Sequence, residues 1–346
     1  MFDSPTEATA ALAEYFDQSR LELVVEALVP AIIFHPRGEV VPGMTKFGGT
    51  PDVPEGFNWP RPALPVDPEE IASRGNHDAA AAMRNHIERN LPYAFVAQVN
   101  LAEAREAAPE ATGLPGEGRL LFFYDFTVGP WDTGSRAAKV IWDQSPSETL
   151  GSLAMPEDLI EAVQHEQKAF AAFAEEGDVA FGGTNYGAAP RAMTMKPTWR
   201  LPHPHAVEFD RLLDFAKAAT SKGGDPTIHD VFSAYEEALE AFGGSYLEEA
   251  WQRHQLLGSP IPEQSDPRHD AVVVTKFDKQ HLSSDEWKTN REEIFREAKD
   301  WVLLLQLDVG DWMQAPYAEG MVYFVVHRGQ LEQRNFDDVI AVYQQT

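Results

Sequence analysis

The chain has 346 residues, 43% hydrophobic and 24% charged, the proportions of a globular protein long enough to build a substantial core without staples. Its 28 Lys and Arg against 55 Asp and Glu leave a net charge of -27, which disfavours nucleic acid or an anionic membrane as partner and suits a basic one. There is no Cys, so disulfides, thiolate nucleophiles, thiolate zinc sites and iron–sulfur clusters are excluded.

Ser4, Pro5 and Glu7 supply an N-cap, a first-turn proline and a capping box. Apolar Leu12, Tyr15, Phe16, Leu23 and Leu28 then continue one face, so a helix is expected as far as Pro30, with a buried strand at Ala31–Phe34. The acidic start lacks the basic character of an export signal, and no apolar run approaches the ~20 residues of a membrane span, so a cytoplasmic location is expected. From 42 to 68, Pro42, Pro51, Pro54, Pro60, Pro62, Pro65 and Pro68 interrupt regular structure. Phe47, Phe57 and Trp59 in the same stretch would pin it to a core. Asp67-Pro68-Glu69-Glu70 caps a helix that opens a peripheral helical insertion, 67–90. Strands are expected at 93–99, 118–126 and 139–142.

The middle, 151–249, reads as helical. Pro156 opens a helix to about Glu176, and Asp225-Pro226 caps another with Val231, Phe232, Tyr235, Leu239 and Phe242 at helical spacing. A Gly243-Gly244 break precedes a short helix ending near His254. Ser284 starts one more helix leading to Trp301, and strands follow at 302–307, 321–327 and 339–343.

The two ends of the chain echo each other. Phe95-Val96-Ala97-Gln98-Val99-Asn100-Leu101 matches Leu303-Leu304-Leu305-Gln306-Leu307-Asp308-Val309, and each is followed by a glycine and an aromatic strand, at Gly118 and Gly320. The Gln-to-Gly interval is 20 residues in the first copy and 14 in the second, a difference a loop absorbs. Residues two apart in a strand share a face, so Gln98 pairs with Asn100 and Gln306 with Asp308. Such pairs either satisfy loop backbone groups or face a shared cleft.

Lys46-Phe47-Gly48-Gly49-Thr50-Pro51 through Trp59-Pro60, the Ala97-Gln98-Val99-Asn100-Leu101 strand, His254-Gln255-Leu256-Leu257-Gly258 with Gln264 and Asp266, and Leu303–Asp308 occur in the order of the YwqG-like bacterial family of unknown function, which this chain resembles over roughly residues 30–345. The resemblance implies an α+β fold whose antiparallel sheets arose by duplication, and it implies no activity. Relatives often carry a Trp-Gly-Asp-like turn after the second Gln strand, where this chain has Trp312-Met313-Gln314-Ala315-Pro316-Tyr317.

Enzyme signatures fail one by one. His165-Glu166 lacks the second His of a metalloprotease helix, Gly243-Gly244-Ser245 lacks the closing Gly of a nucleophile elbow, and Gly113, Gly116 and Gly118 are misspaced for a dinucleotide fingerprint. His203-Pro204-His205 has no third metal ligand nearby and reads as an exposed loop. The most suggestive constellation is His254, Gln255, Gln264, Asp266 and Arg268. Here His254 with Asp266 suits general acid/base work, or the same residues cap a turn and a helix end. Lys46 beside Gly48-Gly49 suits an anion or a plain turn. Phe181-Gly182-Gly183-Thr184 repeats that glycine turn without the Lys.

The expected fold is α+β: antiparallel β-sheets from two repeat-related halves, with peripheral helices. Residues 1–345 form one unit, with halves at about 30–150 and 250–345. The expected function is a non-catalytic binding module for a basic protein partner, as an antitoxin would be, or for a small ligand. The alternatives are a hydrolase using His254 and Asp266, and a structural scaffold. No cofactor or metal is expected. The candidate ligand-binding residues are Lys46, Trp59, Gln98, Asn100, His254, Gln255, Gln264, Asp266, Gln306 and Asp308, with Lys46, Trp59 and the 254–266 loop expected to border one concavity between the halves.

Overall fold

The computed structural model describes residues 1–62, 67–109, 113–172, 183–212, 228–242, 250–315 and 318–345. The Asp225-Pro226 cap, the Gly243-Gly244 break, Phe181-Gly182 and Pro316-Tyr317 lie outside them. Ten strands form one antiparallel sheet: β1 (Val29–Pro36), β2 (Lys46–Phe47), β4 (Ala94–Asn100), β5 (Arg119–Tyr124), β6 (Ala138–Asp143), β8 (Arg191–Arg200), β9 (Gln255–Leu256), β10 (Trp301–Asp308), β11 (Met321–His327) and β12 (Ile340–Gln344). Their order is β12-β11-β10-β9-β1-β8-β2-β4-β5-β6, and β3 (Asp52–Pro54) pairs separately with β7 (Leu150–Ser152).

The order reads the same from either end under a two-fold exchange of β1 with β8, β9 with β2, β10 with β4, β11 with β5 and β12 with β6. Irregularities match as well. Register shifts fall between Phe95 and Ala97 in β4 and between Leu303 and Leu305 in β10. After the short strands the backbone turns left-handed twice, at Gly48 and Gly49 in one copy and at Leu257 and Gly258 in the other. The Gly48 N–H donates to the Val96 carbonyl at 2.9 Å, and the Leu257 N–H to the Leu304 carbonyl at 3.1 Å. The duplication read from Gln98 and Gln306 is therefore a property of the fold.

The sheet curls until its ends approach, with Gly134, just before β6, exchanging hydrogen bonds with Ala341 of β12. Phe122 and Phe324, equivalent residues of β5 and β11, meet edge to face at 5.2 Å inside the curl, in a core shared by both halves. Outside, the helices Pro267–Lys276 and Ser284–Glu297 cover the second half, while Phe57 and Trp59 pack on Phe95, Leu121 and Phe123 of the first. The proline-rich segment is thus pinned as its aromatics suggested. The 67–90 stretch forms two helices, Pro68–Ser73 and His77–Glu88.

Two expectations are corrected. The first helix does not run to Pro30: it ends at Leu12, and Asp17 caps a second helix, Gln18–Glu26, by accepting the Arg20 N–H at 3.1 Å. Pro30 lies inside β1. The middle is not simply helical, because β8 crosses it to pair with β1 over eight rungs, from Val29–Arg200 to Pro36–Met193.

Candidate functional site

Two polar clusters sit behind the Gln strands, built alike. In the first, Gln98 lies opposite Lys46 and is wholly buried. Its Oε1 accepts the Asp52 N–H at 2.9 Å, and its Nε2 donates to the Met44 carbonyl at 2.8 Å and to Asp52 Oδ2 at 3.0 Å. Lys46 Nζ stands 2.7 Å from Asp52 Oδ1, an ion pair closed off from water. Asn100 caps the helix Leu101–Ala107 through the N–H groups of Ala102 and Glu103, and its Nδ2 donates to the Gly43 carbonyl.

In the second, Gln306 lies opposite Gln255 and repeats the pattern, accepting the Ile261 N–H at 2.8 Å and donating to the Arg253 carbonyl at 2.8 Å. Asp308 caps the helix Val309–Met313 through the Asp311 N–H and pairs with Arg253 at 3.1 Å. Gln255 Nε2 donates to the carbonyls of Leu257 and Ser259. His254 fills the place of Thr45. The Thr45 hydroxyl accepts the Asn100 N–H at 2.9 Å, and His254 Nδ1 accepts the Asp308 N–H at 3.0 Å. With Nδ1 accepting, the ring proton sits on Nε2 and is donated to Asp311 Oδ2 at 2.6 Å. Burial pushes the Asp311 carboxyl up, but the bonds from His254 and Arg191 outweigh it and hold the group well below the ordinary carboxylate range.

His254 and Asp266 do not share a partner. Asp266 caps the helix Pro267–Lys276, and its carboxylate is held by Arg268, which also grips Glu208 at 2.6 Å. Burial raises the Asp266 carboxyl, and Arg268 more than reverses it. Gln264 donates to the Gln345 carbonyl at 2.7 Å. Trp59 donates Nε1 to the Tyr93 carbonyl at 2.8 Å and packs edge-on against Phe123. The structure thus gathers Lys46, Gln98 and Asn100 in one cluster and His254, Gln255, Gln306 and Asp308 in another. The two touch where the His254 ring meets Phe47 at 5.0 Å. Gln264 and Asp266 form a third group, and Trp59 stands apart on the first half's outer face.

Three clefts are prominent among the described residues, and none is lined by these ten. The largest of the three, about 810 Å³, lies between the helix Pro68–Ser73, the 131–136 loop and the end of the helix Pro267–Lys276. Asp67, Glu70, Asp132 and Asp278 line it beside Arg136 and Lys279. Asp132 Oδ1 receives Arg136 and Gln280, both at 3.0 Å, while Oδ2 is buried and has no hydrogen-bond partner among the described residues. Burial raises the Asp132 carboxyl, Arg136 opposes this, and Glu70 and Asp125 add to the rise. Sequence reading gave Asp67 and Glu70 only a capping role and passed over Asp132 and Asp278, because nothing in their spacing announces that distant segments converge. Among the described residues, no group of three or more His, Asp or Glu is placed to hold a metal, and no helix is long and apolar enough to cross a membrane.

No curated protein matches the chain. The model of a domain of unknown function, DUF1963, matches residues 45–344, from the residue before Lys46 to the last residue of β12, and the chain belongs to that family.

Proposed function

We propose that this protein is a cytoplasmic, non-catalytic binding module, YwqG-like within its family, that takes a basic segment of a protein partner into the cleft lined by Asp67, Glu70, Asp132 and Asp278. The observation that carries the reading is the surplus of carboxylates there, with one Asp132 oxygen lacking any donor among the described residues. An incoming Lys or Arg meets four carboxylates against Arg136 and Lys279 and neutralises charge that the cleft holds at a cost. Neutralising a basic toxin is the specific form this binding would take. Acid/base catalysis by His254 draws no support from its geometry, since both ring nitrogens are engaged within the protein.

The test is binding of an arginine-rich peptide to the parent, to Asp132→Asn with Asp278→Asn, and to a control carrying Glu236→Gln and Glu237→Gln on the exposed face of the helix Ile228–Phe242. Asn is suited to the left-handed backbone of Asp278. The cleft variant should lose about tenfold in affinity and the control little. The on-rate should fall as salt rises while the off-rate changes less. Equal losses in both variants, or an on-rate indifferent to salt, would overturn the reading.

A further inference from the structure

The two-fold exchange carries the helix Leu101–Ala107 onto Val309–Met313, so Leu101 corresponds to Val309, Ala104 to Trp312 and Arg105 to Met313. Each helix borders a cleft. Leu101 and Arg105 line one of about 350 Å³, and Val309 and Met313 line one of about 270 Å³. The clefts are repeat-related, but their contents differ. Trp312 is buried, stacks on Phe126 at 4.7 Å and reaches across the junction to donate Nε1 to the Val96 carbonyl of β4. In the first copy that bulk is missing. Ala104 stops short, and space remains between it, Ile32 of β1 and Leu257 of the other half.

Three features give this space a polarity. Its inner wall is apolar, with Ile32, Leu101, Ala104 and Leu257 all buried. Leu257 occupies a left-handed backbone position that the other copy gives to Gly48, a conformation costly for a leucine, so the side chain is held in the wall against local strain. At the exposed end stands Arg105, whose guanidinium lies where a Cβ on Gly116 would come within 2.8 Å of Nη1. Among the described residues Arg105 has no hydrogen-bonding or ion-pair partner, in a chain where acids outnumber bases. Where the second cleft has the Met313 thioether, this one has an uncommitted planar cation suited to bidentate recognition of a carboxylate.

We propose that this cleft binds a small carboxylate-headed apolar molecule, with Arg105 taking the carboxylate and Ile32, Leu101 and Leu257 taking the tail. The net charge repels anions at long range, but screening confines that repulsion to ~8 Å at physiological salt, and the guanidinium acts in direct contact. This site is separate from the acidic cleft, and either could fail without the other.

Calorimetric titration of the full chain with decanoate and with decan-1-ol, an uncharged analogue, tests it. One decanoate should bind per chain, at least roughly tenfold more tightly than decanol, the size expected for a charge-assisted hydrogen bond. Arg105→Gln, at an exposed position, should remove that advantage and leave decanol binding unchanged. Ala104→Trp, copying the second half, should abolish both if the variant keeps its circular dichroism. Equal binding of decanoate and decanol, no binding, several decanoates per chain, or decanoate affinity untouched by Arg105→Gln would each overturn the proposal. Binding that survives in a folded Ala104→Trp chain would place the ligand elsewhere and do the same.

Discussion

In the first copy of the repeat the residue opposite the buried Gln is Lys46, whose ammonium is locked to Asp52 away from water. In the second it is Gln255, a neutral amide spent on two carbonyls. Beside them, Thr45 and His254 offer different atoms to equivalent backbone N–H groups, those of Asn100 and Asp308. The hydrogen bonds of Gln98 and Gln306 have hardly changed between copies, while the groups around them have exchanged charge for neutrality and hydroxyl for imidazole. What persists is what the backbone requires, since a loop N–H and C=O buried without partners would each cost about 1–3 kcal/mol.

The comparison is broken most severely at the ion pair. Lys46→Met leaves the Asp52 carboxylate buried without its counter-charge and should cost about 3–5 kcal/mol in urea denaturation, whereas Gln255→Met should cost about 1–3 kcal/mol. Lys46→Gln with Asp52→Asn, which gives the first copy the neutral character of the second, should recover most of the loss. Equal costs for the two single variants would mean that the charge in the first copy is energetically idle.

The shared Gln bonds sharpen the comparison from the other side. Gln98→Leu and Gln306→Leu should each cost about 3 kcal/mol, since each strips partners from two buried backbone groups. A benign change at one site and a severe one at the other would show that the equivalence is geometric but not energetic.

A pH series separates the halves further. Asp270, beside Gln344 at the end of β12, is pushed up to about 7 by burial, with Asp266 adding and Gln344 opposing. Between about pH 4 and pH 7 the folded protein keeps a proton that the unfolded chain has released, so this group lowers stability as pH rises through that window and no further above it. Asp270→Asn should therefore match the parent at pH 4 and exceed it by about 4 kcal/mol at pH 8. An advantage that is constant with pH would assign the gain to packing. The smallest effect belongs to Thr45→Val, which removes one acceptor from the Asn100 N–H and should cost about 1 kcal/mol.

The repeat was legible because its signals are local: a Gln and an Asn or Asp two residues apart on a strand, then a glycine. Gly118 and Gly320 both adopt left-handed φ and accept the N–H of the first residue of the helix after the Gln strand, Leu101 or Val309. β8 was not legible, because Pro197 argues against a strand with neighbours on both sides. The structure shows why it is tolerated. The Trp199 and Met193 N–H groups turn away from β1, toward Phe2 and Thr45, and Pro197 shares their orientation. Its missing donor falls on the edge that β2 leaves uncovered, since β2 pairs only with Arg191 and Ala192. The helix break at Asp17 was hidden by an apolar pattern that continues through it. The clefts were invisible for a different reason: Asp132 meets Asp278, and Ala104 meets Leu257, only after the chain has folded back across the sheet.

The strand order has a further consequence, for the order of events as the chain is made. By sequence β1 leads into β2 and β8 into β9, yet β1 pairs with β9 and β8 with β2. Each repeat has traded its first strand with the other, as two subunits do when they swap a segment, here within one polypeptide. The apolar run Ala31–Phe34 therefore leaves the ribosome roughly 160 residues before its full-length partner β8, a wait of roughly 8–30 s at ordinary rates of synthesis. Through that interval the nascent first repeat holds a strand it cannot keep and lacks the one it needs, so neither repeat completes its edge before the other has been made.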